Sequence, residues 1–274
     1  MTHQQIFSLI IIAAAPLAGR TFPAEQPSVK LEILGGRPVA SRVFLNGQGP
    51  FRFLLDTGAQ TNQVEAALAR RLGLVPSYQV VLATASGTTR VPGGRVAEVT
   101  LGEATAADQE LLFTSLDGVH ALAPDIQGVL GQEFLSRFDY LLDFRGRRLV
   151  FSAAAPDGTR IPARVIDGRM AIETSYGDLV LDSGTQALVL FHTPVSSAPG
   201  ETIRTASGAG KVSMVQAVRV RIGARSYRPA MAAVATNPAA PEDGLLPASL
   251  FGSIFVSNSA HYVIAGPRPA LGER

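Results

Sequence analysis

Apolar residues along this chain come mostly in short runs, many alternating with polar ones and broken by Gly, Asn, Ser or Asp. Phe51-Arg52-Phe53-Leu54-Leu55, Val80-Val81-Leu82-Ala83-Thr84 and Asp178-Leu179-Val180-Leu181 read as strands, and Arg95 to Leu101 and Gln216 to Ile222 show alternation suited to a sheet with one buried face. One stretch breaks the rhythm. From Gln63 to Leu72, residues Val64, Ala67, Leu68 and Leu72 fall at helical spacing, with Arg70 and Arg71 near the end and Gly73 as a stop. This predicts a helix whose apolar stripe packs on the core. The equivalent stretch of the second half, Gln186 to Phe191, gives no clear assignment.

The pattern occurs twice. Asp56-Thr57-Gly58 follows one apolar run and Asp182-Ser183-Gly184 follows another. Thr84-Ala85-Ser86-Gly87 returns as Thr205-Ala206-Ser207-Gly208, beginning 28 residues after Asp56 and 23 after Asp182. Gly128-Val129-Leu130-Gly131 is echoed by Gly244-Leu245-Leu246-Pro247, 72 and 62 residues after the same aspartates. Each half then closes with a short apolar helix and a hairpin. In the first these are Gln132 to Phe138, Tyr140 to Phe144, a turn at 145–147, and Leu149 to Ser152. In the second they are Ala248 to Phe251, Ser253 to Val256, a turn at 257–259, and His261 to Ile264. Three anchors in one order, with slowly drifting spacing, indicate an internal duplication into two lobes.

A carboxylate at the end of a buried strand is costly unless something uses it. An Asp-Ser/Thr-Gly triplet is expected only about 0.1 times in a chain of this length, so two copies in matched settings exceed chance. Two carboxylates that meet and share one proton can activate water for amide hydrolysis. Gly58 and Gly184 leave room for two loops to approach. Thr57 and Ser183 offer hydroxyls that can bond to the opposite loop.

These residues resemble the pepsin and retropepsin-like aspartic peptidases, over nearly the whole chain after about residue 28. Leu54-Leu55-Asp56-Thr57-Gly58-Ala59 looks like the first catalytic motif, with Ala59 the retropepsin-like choice. Val180-Leu181-Asp182-Ser183-Gly184-Thr185 looks like the second. Gly128-Val129-Leu130-Gly131 is similar to the segment that these folds thread beneath the catalytic loop. The resemblance implies a mainly β, two-lobed acid-protease fold. Each lobe would be a β-barrel-like unit with one or two short helices, and the active cleft would lie between the lobes. It implies Asp56 and Asp182 as the catalytic pair, and Thr57, Gly58, Ser183, Gly184 and Thr185 as support for the active-site loops. It implies Ser86-Gly87 and Ser207-Gly208 as flap tips. The chain departs from the pattern at Pro247, where the family has Gly, and at the flap tip, where pepsins carry a tyrosine. Tyr78 is near that tip in sequence only.

The chain has 274 residues, 46% of them hydrophobic, enough for a large core. Its formal charge is +2, carried almost wholly by dispersed arginines. No basic stripe with interleaved aromatics occurs, which points away from nucleic acid. With no cysteine, disulfides, lipoprotein anchoring and cysteine catalysis are excluded. His3, His120, His192 and His261 show no metal-ligand spacing, so no metal or cofactor is expected. Ile6 to Leu17 reads as a secretory h-region, too short for a membrane span, although only His3 precedes it as a basic residue. The expected organisation is a signal and leader over 1–27, a first lobe over 28–153, a linker over 154–160, a second lobe over 161–265 and a flexible tail over 266–274. A mature terminus between Ala18 and Ser28, a periplasmic or extracellular address and a monomeric state are expected.

The function expected from this reading is aspartic endopeptidase action on polypeptides bound in extended form. The competing reading is a peptide-binding or scaffold protein that keeps the fold without catalysis. Pro247 and the missing flap tyrosine favour the second; retention of both aspartates with both glycines favours the first.

Overall fold

Three strands in each half set the position of everything else. In the first half, Val29–Leu34, Arg37–Leu45 and Gln48–Leu55 form an antiparallel meander. In the second, Arg160–Ile166, Arg169–Thr174 and Gly177–Asp182 do the same. The third strand of each meander is apolar on both faces where it nears its aspartate. Phe53, Leu54 and Leu55, like Leu179, Val180 and Leu181, are buried. Burial of a side chain of this size contributes about 1.5–3 kcal/mol, so the strand that carries each aspartate is firmly anchored. The computed structural model describes residues 27–84, 87–192, 200–205, 208–215, 218–235, 237 and 239–267.

Beyond the meander the two halves continue in the same order. In the first, Gln48–Leu55 pairs in parallel with Gly128–Leu130, which pairs antiparallel with Asn62–Glu65, which pairs in parallel with Ala104–Thr114. In the second, Gly177–Asp182 pairs in parallel with Gly244–Pro247, which pairs antiparallel with Ala187–Leu190, which pairs in parallel with Met231–Val234. Each sheet ends in a long hairpin. These are Tyr78–Thr84 with Gly87–Leu101, and Gly200–Thr205 with Gly208–Val215. In the first half Gly87–Leu101 also pairs with Arg37–Leu45 and curls the sheet into a barrel. The fold is therefore mainly β and two-lobed, and the lobes share one topology.

A six-stranded antiparallel sheet joins them. Its centre is the pairing of Tyr140–Asp143 with Ser253–Ser257, the first strands of the two closing hairpins. Arg148–Phe151 and then Val29–Leu34 extend it on one side. Tyr262–Gly266 and then Arg160–Ile166 extend it on the other. Phe134 and Phe138 pack on Phe151 of this sheet, with centroids 5.0 to 5.9 Å apart and the Phe134–Phe151 pair edge to face.

Several local expectations change. The helix expected over 63–72 is shorter, Ala66–Arg71, because Gln63 and Val64 are claimed by the strand Asn62–Glu65. There they pair with Leu112 and Phe113 on one side and with Val129 and Gly128 on the other. A strand held on both edges outweighs a local helical preference. The stop at Gly73 is present, with φ +69 and its N–H on Arg70 O at 3.1 Å. Gln186 to Phe191 contains the strand Ala187–Leu190, the counterpart of Asn62–Glu65. Only Val220–Ile222 of the expected strand 216–222 is a strand, and residues 216 and 217 lie outside the described residues. The closing helices are also short, Gln132–Leu135 and a 3-10 turn at Ala248–Leu250. Arg160, expected in the linker, already belongs to a strand. Residues 1–26 and 268–274, which hold most of the expected signal and tail, are outside the described residues.

Candidate active site

The two meanders deliver Asp56 and Asp182 to one point. Asp56 N–H is held by Leu130 O at 2.9 Å, so the strand Gly128–Leu130 lies directly under the loop. Asp182 pairs across from Pro247 in the equivalent place. Both carboxyls are only 6% exposed, and their side chains are in hydrogen-bonding contact.

Each carboxyl is held in the same way. Oδ1 of Asp56 accepts from Gly58 N–H at 2.9 Å and Ala59 N–H at 3.1 Å. Oδ1 of Asp182 accepts from Gly184 N–H at 2.6 Å and Thr185 N–H at 3.1 Å. The glycines permit the approach. A Cβ on Gly58 would lie 2.5 Å from Asp182 Cγ, and one on Gly184 would lie 2.4 Å from Asp56 Oδ2. The loops cross-link through buried hydroxyls. Thr57 Oγ1 donates to Leu181 O at 2.7 Å and accepts from Ser183 N–H at 3.0 Å. Ser183 Oγ donates to Leu55 O at 2.7 Å and accepts from Thr57 N–H at 3.0 Å. Thr185 is buried but bonds locally, to Ala187.

Burial pushes both carboxyls above the usual range. For Asp56 the backbone donors and the contact with Asp182 pull the other way. For Asp182 burial is reinforced by the charge of Asp56, and it rises well above the ordinary value. Two coupled carboxyls raised in this way share one proton, so that one of the pair is ionised while the other is protonated.

Three features were not legible in the sequence. Arg37 opens the second strand of the first meander and donates its Nε–H to Gly184 O at 2.7 Å. Burial lowers its pKa, while the charges of Asp182 and Asp56 raise it, so it lies within electrostatic reach of both carboxyls. Gln60 and Gln186 occupy the same place after each aspartate, and both reach the opposite lobe. Gln60 Nε2 donates to Asp167 O at 3.0 Å, and Gln186 lies against the Gly35-Gly36 turn. The shared Gln in Asp-Thr-Gly-Ala-Gln and Asp-Ser-Gly-Thr-Gln was the available signal. Third, the two lobes support their loops differently. Gly131 N–H donates to buried Asn62 Oδ1 at 3.0 Å, and Gln132 Nε2 donates to Thr57 O at 2.7 Å. The second lobe has Pro247, Leu188 and Ala248 at those three places. Pro247 has no N–H to satisfy, so apolar Leu188 leaves no donor stranded.

The flap expectations are only partly covered. Ser86 and Ser207 lie outside the described residues, while Gly87 and Gly208 open the return strands of the two long hairpins. Tyr78 starts the first of these hairpins, at the end away from its tip, and sits against Gly93. Among the described residues no cluster of three or more His, Asp or Glu could hold a metal ion, and no helix is long and apolar enough to cross a membrane.

Asp56 and Asp182 thus meet between two β lobes of equivalent strand order. Residues 39–134 match the aspartyl protease family. The matched segment runs from the second strand through Asp56 to Phe134. Solved structures resemble it too, among them a retropepsin-like aspartic protease from Rickettsia conorii. That comparison has 17% identity and a TM-score of 0.35, and covers 46% of this chain and 90% of the other. No curated protein matches the chain significantly.

Proposed function

We propose that this protein is an aspartic endopeptidase that hydrolyses peptide bonds with water activated between Asp56 and Asp182. The observation that carries the reading is the meeting of two buried carboxyls from equivalent, cross-linked loops, both pushed above the usual carboxylate range by burial. Ionised Asp56 takes a proton from water as its oxygen bonds to the carbonyl carbon, and protonated Asp182 gives its proton to the carbonyl oxygen. Collapse of the tetrahedral species breaks the C–N bond. The proton held by Asp56 goes to the leaving nitrogen, and Asp182 regains one from a hydroxyl. The glycines and the Thr57–Ser183 cross-links hold the two carboxyls in place for both steps.

An extended polypeptide suits the cleft, bound as an added strand beneath the long hairpins. The scaffold reading drew support from Pro247 and from the missing flap tyrosine, and the matching loss of Asn62's counterpart removes the first of these. We further propose that the chain is exported and acts as a monomer. Amino-terminal sequencing of periplasmic or secreted material would give a start between Ala18 and Ser28, and an uncut cytoplasmic chain would refute export.

The test is a peptide library incubated from about pH 3 to pH 7, with and without a statine-type transition-state mimic. Cleavage that the mimic blocks and that Asp56→Asn abolishes is the expected result. An amide cannot serve as the ionised base. Full activity in Asp56→Asn would overturn the proposal.

A further inference from the structure

The duplicated fold lets one lobe serve as a control for the other. Arg37 and Arg169 are equivalent, since each opens the second strand of its meander and pairs across the turn, with Leu34 and Ile166 respectively. Their surroundings differ in charge: Arg169 lies 3.7 Å from Asp167, where the first lobe has Gly35, and it has a second acidic neighbour. Arg169 is neutralised within its own lobe by Glu242, which accepts from both terminal nitrogens at 3.0 Å. Glu242 is buried and Arg169 largely so, with side chains 5% and 12% exposed. Glu242 sits two residues before Gly244, which pairs with Leu179. The corresponding place in the first lobe is two residues before Gly128, which pairs with Phe53. That residue is Ile126, fully buried in an apolar cluster with Val39 and Leu54.

Arg37 therefore has no built-in counter-ion where its twin has one. Its Nε–H is fixed on Gly184 O. Among the described residues its two terminal nitrogens have neither a hydrogen bond nor an ion pair. The group is half-buried, and it lies in the loop system of Asp182. A guanidinium pinned by one nitrogen, with its outer edge unspent, is preorganised for a carboxylate. The dyad carboxyls do not fill this role, since neither forms an ion pair with it. The opposite Arg–Glu pair makes the two ends of the cleft unequal in charge.

We infer that Arg37 is a specificity-determining residue that takes a substrate carboxylate, either an acidic side chain or a free C-terminus, close to the bond being cut. The inference rests on the peptidase reading for the location of the cleft, and its test is one of binding. Extended peptides with a central statine unit would be prepared with Glu or Gln at each of three positions on either side. Each would be made with an amidated and with a free C-terminus. Affinities would be measured by calorimetry at about pH 6, where Glu is ionised, for the parent, Arg37→Gln and Arg37→Lys.

At one position on one side of the statine, Glu should bind at least about tenfold more tightly than Gln, the scale of a charge-assisted hydrogen bond. The ratio should fall to about one in Arg37→Gln, survive in part in Arg37→Lys, and shrink as salt is raised. A gain confined to the free C-terminus would identify the terminal carboxylate as the source, and a gain from internal Glu the side chain. A parent ratio below about twofold at every position and terminus overturns the inference without any variant, as does failure of every peptide to bind. So does a preference that persists in Arg37→Gln. Cleavage without carboxylate preference would fail this inference alone. Carboxylate preference without cleavage of ordinary peptides would fail the peptidase reading alone.

Discussion

Thr57 and Ser183 exchange hydrogen bonds in both directions, each hydroxyl accepting from the other's backbone N–H and donating to a carbonyl on the opposite strand. These four bonds, all buried, tie together residues more than one hundred positions apart, and no water is needed to complete them. Removing one hydroxyl strands one N–H and one carbonyl, each costing about 1–3 kcal/mol. Ser183→Ala and Thr57→Val should therefore each lower stability by about 2–4 kcal/mol in urea unfolding. A loss under about 0.5 kcal/mol would show that the lobes do not depend on this link.

The raised Asp182 carboxyl carries a sign for stability. Its folded pKa lies well above the unfolded value of about 3.9. It stabilises the fold fully below that unfolded value, and the contribution is lost as pH rises through the folded pKa. Asp182→Asn should thus melt no lower than the parent at pH 7, with its advantage shrinking toward about pH 4. Thermal melts of both proteins across this range give the answer. A variant less stable at pH 7 than at pH 4, relative to the parent, contradicts the assignment.

Arg37 favours the ionised form of both carboxyls, lowering Asp56 directly. If one carboxyl must be ionised and one protonated, kcat/KM is bell-shaped in pH. Arg37→Gln should move both limbs of the bell to higher pH. A profile that keeps its limbs while losing height would assign Arg37 a purely structural part.

Gly58 and Gly184 are required by space. A methyl group at either position collides with the carboxyl opposite. Gly58→Ala and Gly184→Ala should each separate the dyad and reduce kcat/KM at least about a hundredfold, given the sensitivity of positioned groups to small displacements. Steady-state kinetics on folded variants would show it, and activity within about threefold of the parent would mean that the carboxyls work farther apart.

Leu188 and Pro247 should behave as a unit. Pro247→Gly alone adds a buried N–H with no acceptor, and Leu188→Asn alone adds a buried amide with no partner. Together they recreate the Asn62–Gly131 pair of the first lobe. The double variant should be more stable than the sum of the singles predicts, by about 1 kcal/mol or more in a double-mutant cycle. Strict additivity would mean that the second loop is held by other contacts.

The amino-acid sequence by itself determined the strand-rich duplicated plan and the paired Asp-Thr-Gly and Asp-Ser-Gly turns at the ends of buried strands. Those signals are local, because burial periodicity and the small residues of a tight turn are written over fewer than about ten positions. The strand Asn62–Glu65 was hidden for the complementary reason. Val64, Ala67 and Leu68 satisfy a helix, and only the neighbours Ala104–Thr114 and Gly128–Leu130, brought in from far along the chain, claim Val64 for a sheet. Tertiary structure alone decided that Arg37 bonds Gly184 across 147 residues, that Gln60 reaches the opposite hairpin, and that Arg169 has Glu242 where the equivalent place in the first lobe holds Ile126. Such partnerships form only when segments far apart in the chain fold together, within a lobe for Arg169 and between lobes for Arg37 and Gln60. Which charge is left unmatched depends on that folding, and spacing along the chain does not encode it.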